Sequence, residues 1–277
     1  MNRIVGVCRF AFLGKGDWIG MTSPAVARDQ ARLERQARHL FEDQRMRLRL
    51  HTLEHITLAG LKAQSDQDFD FVILGSTRMP RKWQEALRAV AATLPQARVV
   101  FSDATHTEDA LRPILTAVKQ ETGANALQFR LDDDDAVGIS FIATLRQNAQ
   151  RLRGLPRFAL SFPRGLSVMT YDGQPPSFWR TWRPFVGAGV AARLMVAGRS
   201  IYAVNHFELP RNLFSCLDPS ITGHLVLRWD QGDTAREGTP RHPWGYEPLT
   251  RPEFDAEVAD SFPFLAGFDW SSLRRPA

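Results

Sequence analysis

Cysteine is scarce in this chain, with only Cys8 and Cys216 among 277 residues. Small secreted domains that depend on disulfides carry several cysteines at short spacings, so that class is excluded. The two cysteines lie in unrelated sequence contexts. One disulfide between them stays open, but a reducing compartment is the simpler interpretation.

Long apolar runs are absent as well. No stretch approaches the roughly 20 apolar residues that a membrane-spanning helix needs. The first apolar run, residues 4–8, is interrupted by Arg9 and is too short for the core of a secretory signal peptide. We therefore expect a cytoplasmic protein.

Familiar phosphate-binding and metal-binding motifs are missing too. The sequence has neither a Gly-x-x-x-x-Gly-Lys-Ser/Thr loop nor a Gly-x-Gly-x-x-Gly after a strand, which argues against nucleoside triphosphatases and dinucleotide-binding enzymes. It has no zinc-finger spacing, and its acidic run lacks the glycine and terminal glutamate of an EF-hand loop.

Positive charge is in excess, with a net charge of +5 and a pI of about 9.7. This balance suits anionic partners such as nucleotide diphosphates, nucleic acid or an anionic membrane face. It is equally typical of a chain from an arginine-rich proteome. Charge alone does not choose among these explanations.

Strands alternate with helices in the first part of the chain. Hydrophobic spacing predicts strands at 4–12, 69–75, 97–102 and 126–131, and helices at 24–63, 80–93, 108–121 and 139–152. This alternation predicts an α/β fold, a mostly parallel Rossmann-like sheet with helices on both faces. Ligands of such sheets bind at the carboxyl ends of the strands.

The pattern changes after Pro156. It predicts short elements at 158–162 and 166–171 (a hairpin-like pair of strands), 189–197 (a helix), 200–205 (a strand) and 251–260 (a helix). Residues 174–184 form an aromatic, arginine-rich segment that we expect to be a loop, and beyond residue 215 we expect mainly irregular structure. We interpret the chain as one continuous fold with a nucleotide-binding half, 1–155, and a mixed acceptor-binding half, 156–277.

Four aspartates, Asp132 to Asp135, directly follow the fourth predicted strand. Neighbouring carboxylates repel one another, and a divalent cation that also binds a diphosphate would relieve this repulsion. In an extended segment Asp132 and Asp134 would face the cleft as an Asp-x-Asp unit, with Asp134 as the main ligand. Asp133 and Asp135 would then hold backbone or ribose. The alternative is a solvated acidic turn or a helix N-cap, and Asp135 is the aspartate best placed to act as that N-cap.

These residues resemble a known family. The segments 56–58, 64–65, 68–69, 72–74 and 79–80, together with QFRLDDDDA at 128–136, resemble the rhamnosyltransferase family of bacteria, and the order of strands before the acidic run resembles the GT-A glycosyltransferase fold. Arg9-Phe10 at the end of the first strand fits the same pattern. The match covers residues 3 to 150 well and is loose beyond them.

The resemblance implies a glycosyltransferase that uses a nucleotide-diphosphate sugar, dTDP-linked if the sugar is rhamnose and otherwise UDP-linked. It implies a divalent metal, Mn²⁺ or Mg²⁺, at Asp132 and Asp134. We include Asp135 as a further candidate ligand. Arg9 is expected to contact the nucleobase or diphosphate, and Arg130 to pair with the acidic run or with phosphate. The acceptor would be a saccharide or a glycolipid. Nucleic acid is not an expected partner, whereas the arginine-rich helix at 24–63 would suit peripheral membrane contact.

A histidine late in the chain completes the metal site in many transferases of this fold, and His206 is the candidate here. The alternative is an ordinary hydrogen-bonded histidine. His224 and His242 are weaker candidates.

The acceptor side is less defined. Trp179 and Arg180 of the aromatic segment suit a sugar acceptor, because rings stack on pyranose faces, although plain packing against the core explains them equally well. An inverting transfer also needs a carboxylate base. Asp172, Glu208 and Asp218 are the candidates, and inversion and retention are both compatible with the sequence.

Two other classes compete with a glycosyltransferase. A metal-dependent nuclease or other phosphoryl-transfer enzyme also uses clustered carboxylates and a basic surface, but it usually spreads the carboxylates over several strands. A non-enzymatic metal-binding module is the third hypothesis.

Overall fold

The structure is a computed structural model that describes residues 3–14, 30–232 and 245–273. Its strands are β1 Ile4–Arg9, β2 Asp70–Ser76, β3 Ala97–Ser102, β4 Leu127–Arg130, β5 Ala136–Val137, β6 Phe158–Ser161, β7 Arg164–Thr170, β8 Ser177–Trp182, β9 Ala191–Arg193, β10 Ser215–Leu217, β11 His224–Trp229 and β12 Tyr246–Leu249. Its α-helices are α1 Gln30–Leu40, α2 Asp43–Thr52, α3 Ala59–Lys62, α4 Arg81–Ala91, α5 Thr107–Thr122, α6 Phe141–Arg151, α7 Leu209–Asn212 and α8 Arg251–Ser261.

The larger sheet has the strand order β10-β6-β9-β4-β1-β2-β3. Strands β1 to β4 pair in parallel, and β9 runs antiparallel between β4 and β6. Strand β1 is a continuous apolar run that is buried on both faces, as expected for a central strand covered by helices. The predicted α/β class with a mostly parallel sheet is confirmed.

The smaller sheet has the order β12-β8-β7-β11-β5. Helix α8 covers one face, where Phe254 stacks on Phe178 of β8 with ring centroids 4.4 Å apart. Its edge strand β5 follows the four aspartates directly. The chain therefore crosses from the larger sheet to the smaller one at the acidic run.

The two predicted halves of the chain share both sheets. The larger sheet takes β6, β9 and β10 from beyond residue 155, and the smaller sheet takes β5 from before it. This interleaving is consistent with one continuous fold, and the assignment of the halves to donor and acceptor stays a prediction.

Predictions for the first part of the chain hold best. The four predicted strands and the helices at 80–93, 108–121 and 139–152 correspond to observed elements. The single helix at 24–63 is wrong over its described part, because α2 starts anew at the N-cap Glu42 and a π-helical turn, Leu53–Leu58, separates α2 from α3. Residues 24–29 lie outside the described residues.

Predictions for the second part are largely wrong. Residues 189–197 contain β9 instead of a helix, because the backbone of β9 pairs with β4 on one side and β6 on the other. Residues 200–205 contain a 3₁₀ turn, Ile201–Ala203, instead of a strand. The expected hairpin at 158–171 is split, because β6 and β7 belong to different sheets. The expected loop at 174–184 contains β8, and the region beyond 215 contains β10, β11 and β12 besides the predicted helix α8.

The structure also bears on the two cysteines and on membrane-spanning helices. Cys8 is buried, Cys216 is half-buried, and neither forms a disulfide. None of the described helices is both long enough and apolar enough to cross a membrane.

Candidate functional site

A cleft of about 430 Å³ lies at the carboxyl ends of β1 and β4. Residues of both sheets line it, since β11 contributes residues 226–229. The arginine, aspartate and histidine side chains along its walls are Arg9, Arg49, Arg130, Arg183, Arg228, Asp132, Asp134, Asp135 and His206. Most of the predicted donor-site and metal-site residues therefore share one cleft.

The four aspartates form a tight turn. The backbone N–H of Asp135 donates to the carbonyl of Asp132 at 3.3 Å, and the Thr57 hydroxyl donates to the Asp135 carbonyl at 2.8 Å. The expected alternation of an extended segment is therefore wrong, and the alternative of an acidic turn describes the backbone. Asp135 caps no helix, because α6 begins later, at Phe141.

Asp133 is not among the residues that line the cleft, and it is 0% exposed. Arg49 of α2 donates to both of its carboxylate oxygens, with Nε 2.8 Å from Oδ2. A buried carboxylate requires such a partner because removing its charge from water is costly. The structure thus places this predicted substrate-binding residue in an internal ion pair.

Asp134 and Asp135 line the cleft, but protein donors already engage both carboxylates. Oδ2 of Asp134 accepts from Nη1 of Arg49 at 3.2 Å and from the indole Nε1 of Trp229 at 2.9 Å. Oδ1 of Asp135 accepts from the Leu227 amide at 3.2 Å. Burial, together with the nearby negative charge of Asp134, raises the pKa of Asp135 well above its ordinary value, which favours the protonated form.

Asp132 is the most accessible of the four, with a side chain 32% exposed. Its carboxylate lies between two arginines, 4.0 Å from Nη2 of Arg9 and 3.8 Å from Nη2 of Arg130. Burial would raise the pKa of Asp132, but these arginines outweigh burial and hold the pKa below its ordinary value. Asp132 is therefore the charged carboxylate that the cleft offers to a ligand.

His206 lines the same cleft and begins a second 3₁₀ turn, His206–Glu208. Its Nδ1 lies 2.5 Å from the carbonyl oxygen of Phe185, and burial together with Arg130 lowers its pKa to about 4. A neutral ring that donates from Nδ1 to a carbonyl keeps the lone pair on Nε2, which is the usual arrangement of a metal-binding histidine.

The fit of these side chains to a divalent cation is partial. In the described part of the chain, no three His, Cys, Asp or Glu side chains are grouped so that they could hold a metal. Asp134 and Asp135 are engaged elsewhere, whereas Asp132 and His206 supply one carboxylate and one imidazole. Mg²⁺ and Mn²⁺ commonly complete such a partial set with water and phosphate oxygens.

The residues predicted for the acceptor lie beside the cleft or away from it. Trp179 packs with Tyr171, which does line the cleft, whereas Arg180 pairs with Glu247 and Glu257 outside it.

The three predicted bases also differ in position. Asp172 and Glu208 follow the cleft residues Tyr171 and Phe207 directly in sequence, and Glu208 pairs with Arg211. Asp218 lies away from the lining residues, and its carboxylate accepts from Asn148 and Ser220.

His224 is buried under Gly165 and bonds to the Phe162 carbonyl at 3.2 Å, so it lies outside the cleft. His242 lies outside the described residues.

Sequence reasoning missed several residues of the site. Arg49 and Tyr202 come from remote segments, and nothing in their neighbourhood marks them as partners of the acidic run. Trp229 and Arg228 lie in β11, which was expected to be irregular. One signal was available: residues 224–229, HLVLRW, form a short apolar run that is typical of a strand.

A basic cleft beside an acidic turn, at the carboxyl ends of parallel strands, is typical of α/β enzymes that bind nucleotide-linked substrates. The chain belongs to the family described as "Putative rhamnosyl transferase", which matches residues 3–241. The resemblance found in the sequence and the predicted class of enzyme, a glycosyltransferase, are thereby confirmed. The nuclease and binding-module hypotheses are set aside.

Similarity to solved structures is distant. S. aureus TarS bound to UDP is 12% identical over 62% of this chain and 37% of its own, with a TM-score of 0.29. TarS 1-349 bound to UDP-GlcNAc is 9% identical over 94% of this chain and 67% of its own, with a TM-score of 0.36. Mannose-1-phosphate geranyltransferase from Thermus thermophilus is 13% identical over 82% and 74% of the two chains, with a TM-score of 0.27. No curated protein matches the chain. These likenesses are too weak to show what this chain binds.

Proposed function

We propose that this protein transfers a sugar, rhamnose in the first instance, from a nucleoside-diphosphate donor to a hydroxyl of a saccharide or glycolipid acceptor. The observation that carries the proposal is the cleft in which Arg9, Arg130, Asp132 and His206 meet at the carboxyl ends of β1 and β4. Family membership supplies the reaction class, and the cleft supplies positive charge where a diphosphate leaving group would need it.

The donor would lie against the larger sheet. Arg9 and Arg130 suit the diphosphate, because guanidinium groups bind phosphate oxygens with paired N–H donors. When the bond between sugar and phosphate breaks, negative charge grows on the leaving diphosphate, and positive groups already in position stabilise that charge without having to reorganise.

A divalent cation, Mn²⁺ or Mg²⁺, would be held by Asp132 and His206, with Asp134 as a further ligand only if it releases Arg49 and Trp229. A bound cation would supply additional charge stabilisation at the leaving diphosphate. The neutral state of His206 suits this role, because a protonated imidazole has no lone pair to offer.

The acceptor would enter on the side of the smaller sheet. Tyr171, backed by Trp179, offers an aromatic face for a sugar ring. Asp172 and Glu208 stay candidate bases because both follow cleft residues directly in sequence.

The test is a calorimetric titration of the protein with a panel of nucleoside diphosphates, with Mn²⁺ and with EDTA. We expect dTDP or UDP to bind, and Mn²⁺ to increase the affinity. His206→Ala should lose most of the increase due to Mn²⁺, because it removes the imidazole ligand.

The matched control is His55→Ala, which removes an exposed histidine outside the cleft and should leave both affinities unchanged. Failure of every nucleoside diphosphate to bind under either condition would overturn the proposed function. An undiminished Mn²⁺ effect in His206→Ala would remove only the metal assignment.

A further inference from the structure

Two arginines of the cleft converge on one aromatic ring. The guanidinium carbon of Arg9 lies 4.4 Å from the centroid of the Tyr202 ring, and that of Arg130 lies 4.6 Å from the same centroid. Each also approaches a different oxygen of Asp132, at 4.0 and 3.8 Å. Two like charges thus lie close together around one ring, with Asp132 beside both.

The strand register explains why both arginines point the same way. Arg130 of β4 pairs with Val7 of β1, so the two side chains lie on the same face of the sheet. Arg9 follows Val7 by two residues and shares that face, because side chains alternate along a strand. The arginines therefore converge through backbone geometry and do not depend on Asp132.

The ring is also fixed from the sheet. Gln128 of β4 accepts from the Ile201 amide at 2.9 Å and donates to the Arg199 carbonyl at 2.9 Å, which ties the 3₁₀ turn to this face. The Tyr202 hydroxyl donates to the Val7 carbonyl at 3.0 Å. Tyr202 is therefore a rigid platform, and its stacked arginines lose less freedom when they bind a ligand.

Asp132 lies near both guanidinium groups without a close contact to either. Distances of 3.8 and 4.0 Å exceed hydrogen-bond length, so the carboxylate acts mainly through charge. In the described part of the chain, the buried Nε of Arg130 makes no hydrogen bond. A larger anion with more oxygens would match the two guanidinium groups better than one carboxylate does.

We propose that Asp132 is a built-in counter-ion of an anion receptor formed by Arg9 and Arg130 on Tyr202, and that the donor's diphosphate displaces it from the arginines. Once displaced, Asp132 would be able to hold a divalent cation. The inference rests on the proposed function for the identity of the anion as a nucleoside diphosphate. When metal is absent, Asp132 thus competes with the substrate for the two arginines.

The experiment measures the affinity for inorganic pyrophosphate, and separately for dTDP and UDP, by calorimetry in EDTA. Asp132→Asn keeps the shape of the side chain and removes its charge. We expect this variant to bind pyrophosphate several-fold more tightly than the unmodified protein, with about tenfold as an upper value. Arg9→Gln and Arg130→Gln should each weaken binding by about tenfold or more.

Variants of Tyr202 test whether its ring is a stacking platform for the arginines or whether only the hydrogen bond of its hydroxyl matters. Tyr202→Phe keeps the ring and should change the affinity little, whereas Tyr202→Leu removes the stacking surface and should weaken binding. The Phe variant keeps the test valid if the Leu variant fails to fold.

The chain offers a matched control outside the cleft. Arg251 lies 5.4 Å from the Phe178 ring and pairs with Asp255, so it repeats the stacked, paired arrangement on exposed α8. Arg251→Gln and Asp255→Asn change the net charge in the same way as the test variants, and neither should alter pyrophosphate affinity.

The outcomes separate the two proposals. Weaker or unchanged pyrophosphate binding by Asp132→Asn in EDTA overturns the counter-ion inference, while Mn²⁺-dependent binding of dTDP or UDP would still support the proposed function. Tighter pyrophosphate binding by Asp132→Asn with no binding of any nucleoside diphosphate supports the receptor and overturns the proposed function.

Discussion

At the scale of single residues, the acidic run shows how one sequence motif divides into different roles. Asp132 faces the cleft, Asp133 pairs with Arg49 in the interior, and the last two carboxylates accept from indole and backbone donors. The division follows from the turn, which points neighbouring side chains in different directions. A substitution in this run therefore tests a different property at each position.

Asp133→Asn should destabilise the fold strongly. Arg49 would keep its buried charge and lose its main partner, and breaking a buried ion pair typically costs about 3–5 kcal/mol of the free energy of unfolding. Urea unfolding of the variant and the unmodified protein measures the loss.

Asp255→Asn is the control, because it breaks an exposed pair with Arg251 that is worth at most about 1 kcal/mol. Equal losses in the two variants would contradict the structural role of the buried pair.

His224 should make stability depend on pH. Burial lowers its pKa from 6.5 to about 4 in the folded protein, so between these values the unfolded state binds more protons and acidification favours unfolding. The full effect of one such group is roughly 3 kcal/mol. Asp135 acts in the opposite direction because its pKa is raised, so the effect has to be measured as a difference between variants.

We expect the unmodified protein to lose more stability than His224→Gln when the pH falls from about 7 to about 4.5, as measured by urea unfolding at both pH values. Equal losses would show that His224 does not titrate in this window.

At the scale of secondary-structure elements, the sequence predicts strands well where one apolar run faces the core on both sides, as in β1 and β2. It fails where pairing decides the structure. Strand β9 is three residues long and exists because β4 and β6 flank it, and no local pattern contains that information.

The same limit applies to the site. The placement of Arg9 and Asp132 in one cleft was predictable, because Arg9 ends β1 and the acidic run follows the parallel strand β4. His206 was a candidate only through the resemblance to the family, since the strand predicted before it is a 3₁₀ turn. Arg49 was not, since its pairing with Asp133 depends on how α2 docks against the sheet.

Gly6 tests the packing at the centre of β1. A Cβ at this position would lie 2.3 Å from the Phe129 ring and 2.6 Å from the Phe71 ring, and both rings are buried. Gly6→Ala should therefore cost about 1–3 kcal/mol through overpacking, measured by urea unfolding.

Gly154→Ala is the matched control, because a Cβ there meets nothing within 4 Å. A neutral Gly6→Ala would mean that the two rings move aside without cost, contrary to the close packing of this layer.

At the scale of the whole molecule, the cleft belongs to neither sheet alone. The larger sheet supplies the arginines that face the proposed diphosphate, and β11 of the smaller sheet supplies Trp229 and the Leu227 amide. The acidic turn contacts both, so the geometry of the site depends on how the sheets are joined.

That junction is short: Leu131 to Asp135 are the residues between β4 and β5. Strand β5 pairs with β11 through Ala136 and Val137. One inserted or deleted residue in this link would shift β5 by one position and turn its side chains to the opposite face. Relatives that keep this architecture should therefore tolerate changes of residue type in the link far better than changes in its length, and a comparison of their spacings would reveal the site even where the aspartates themselves have been replaced.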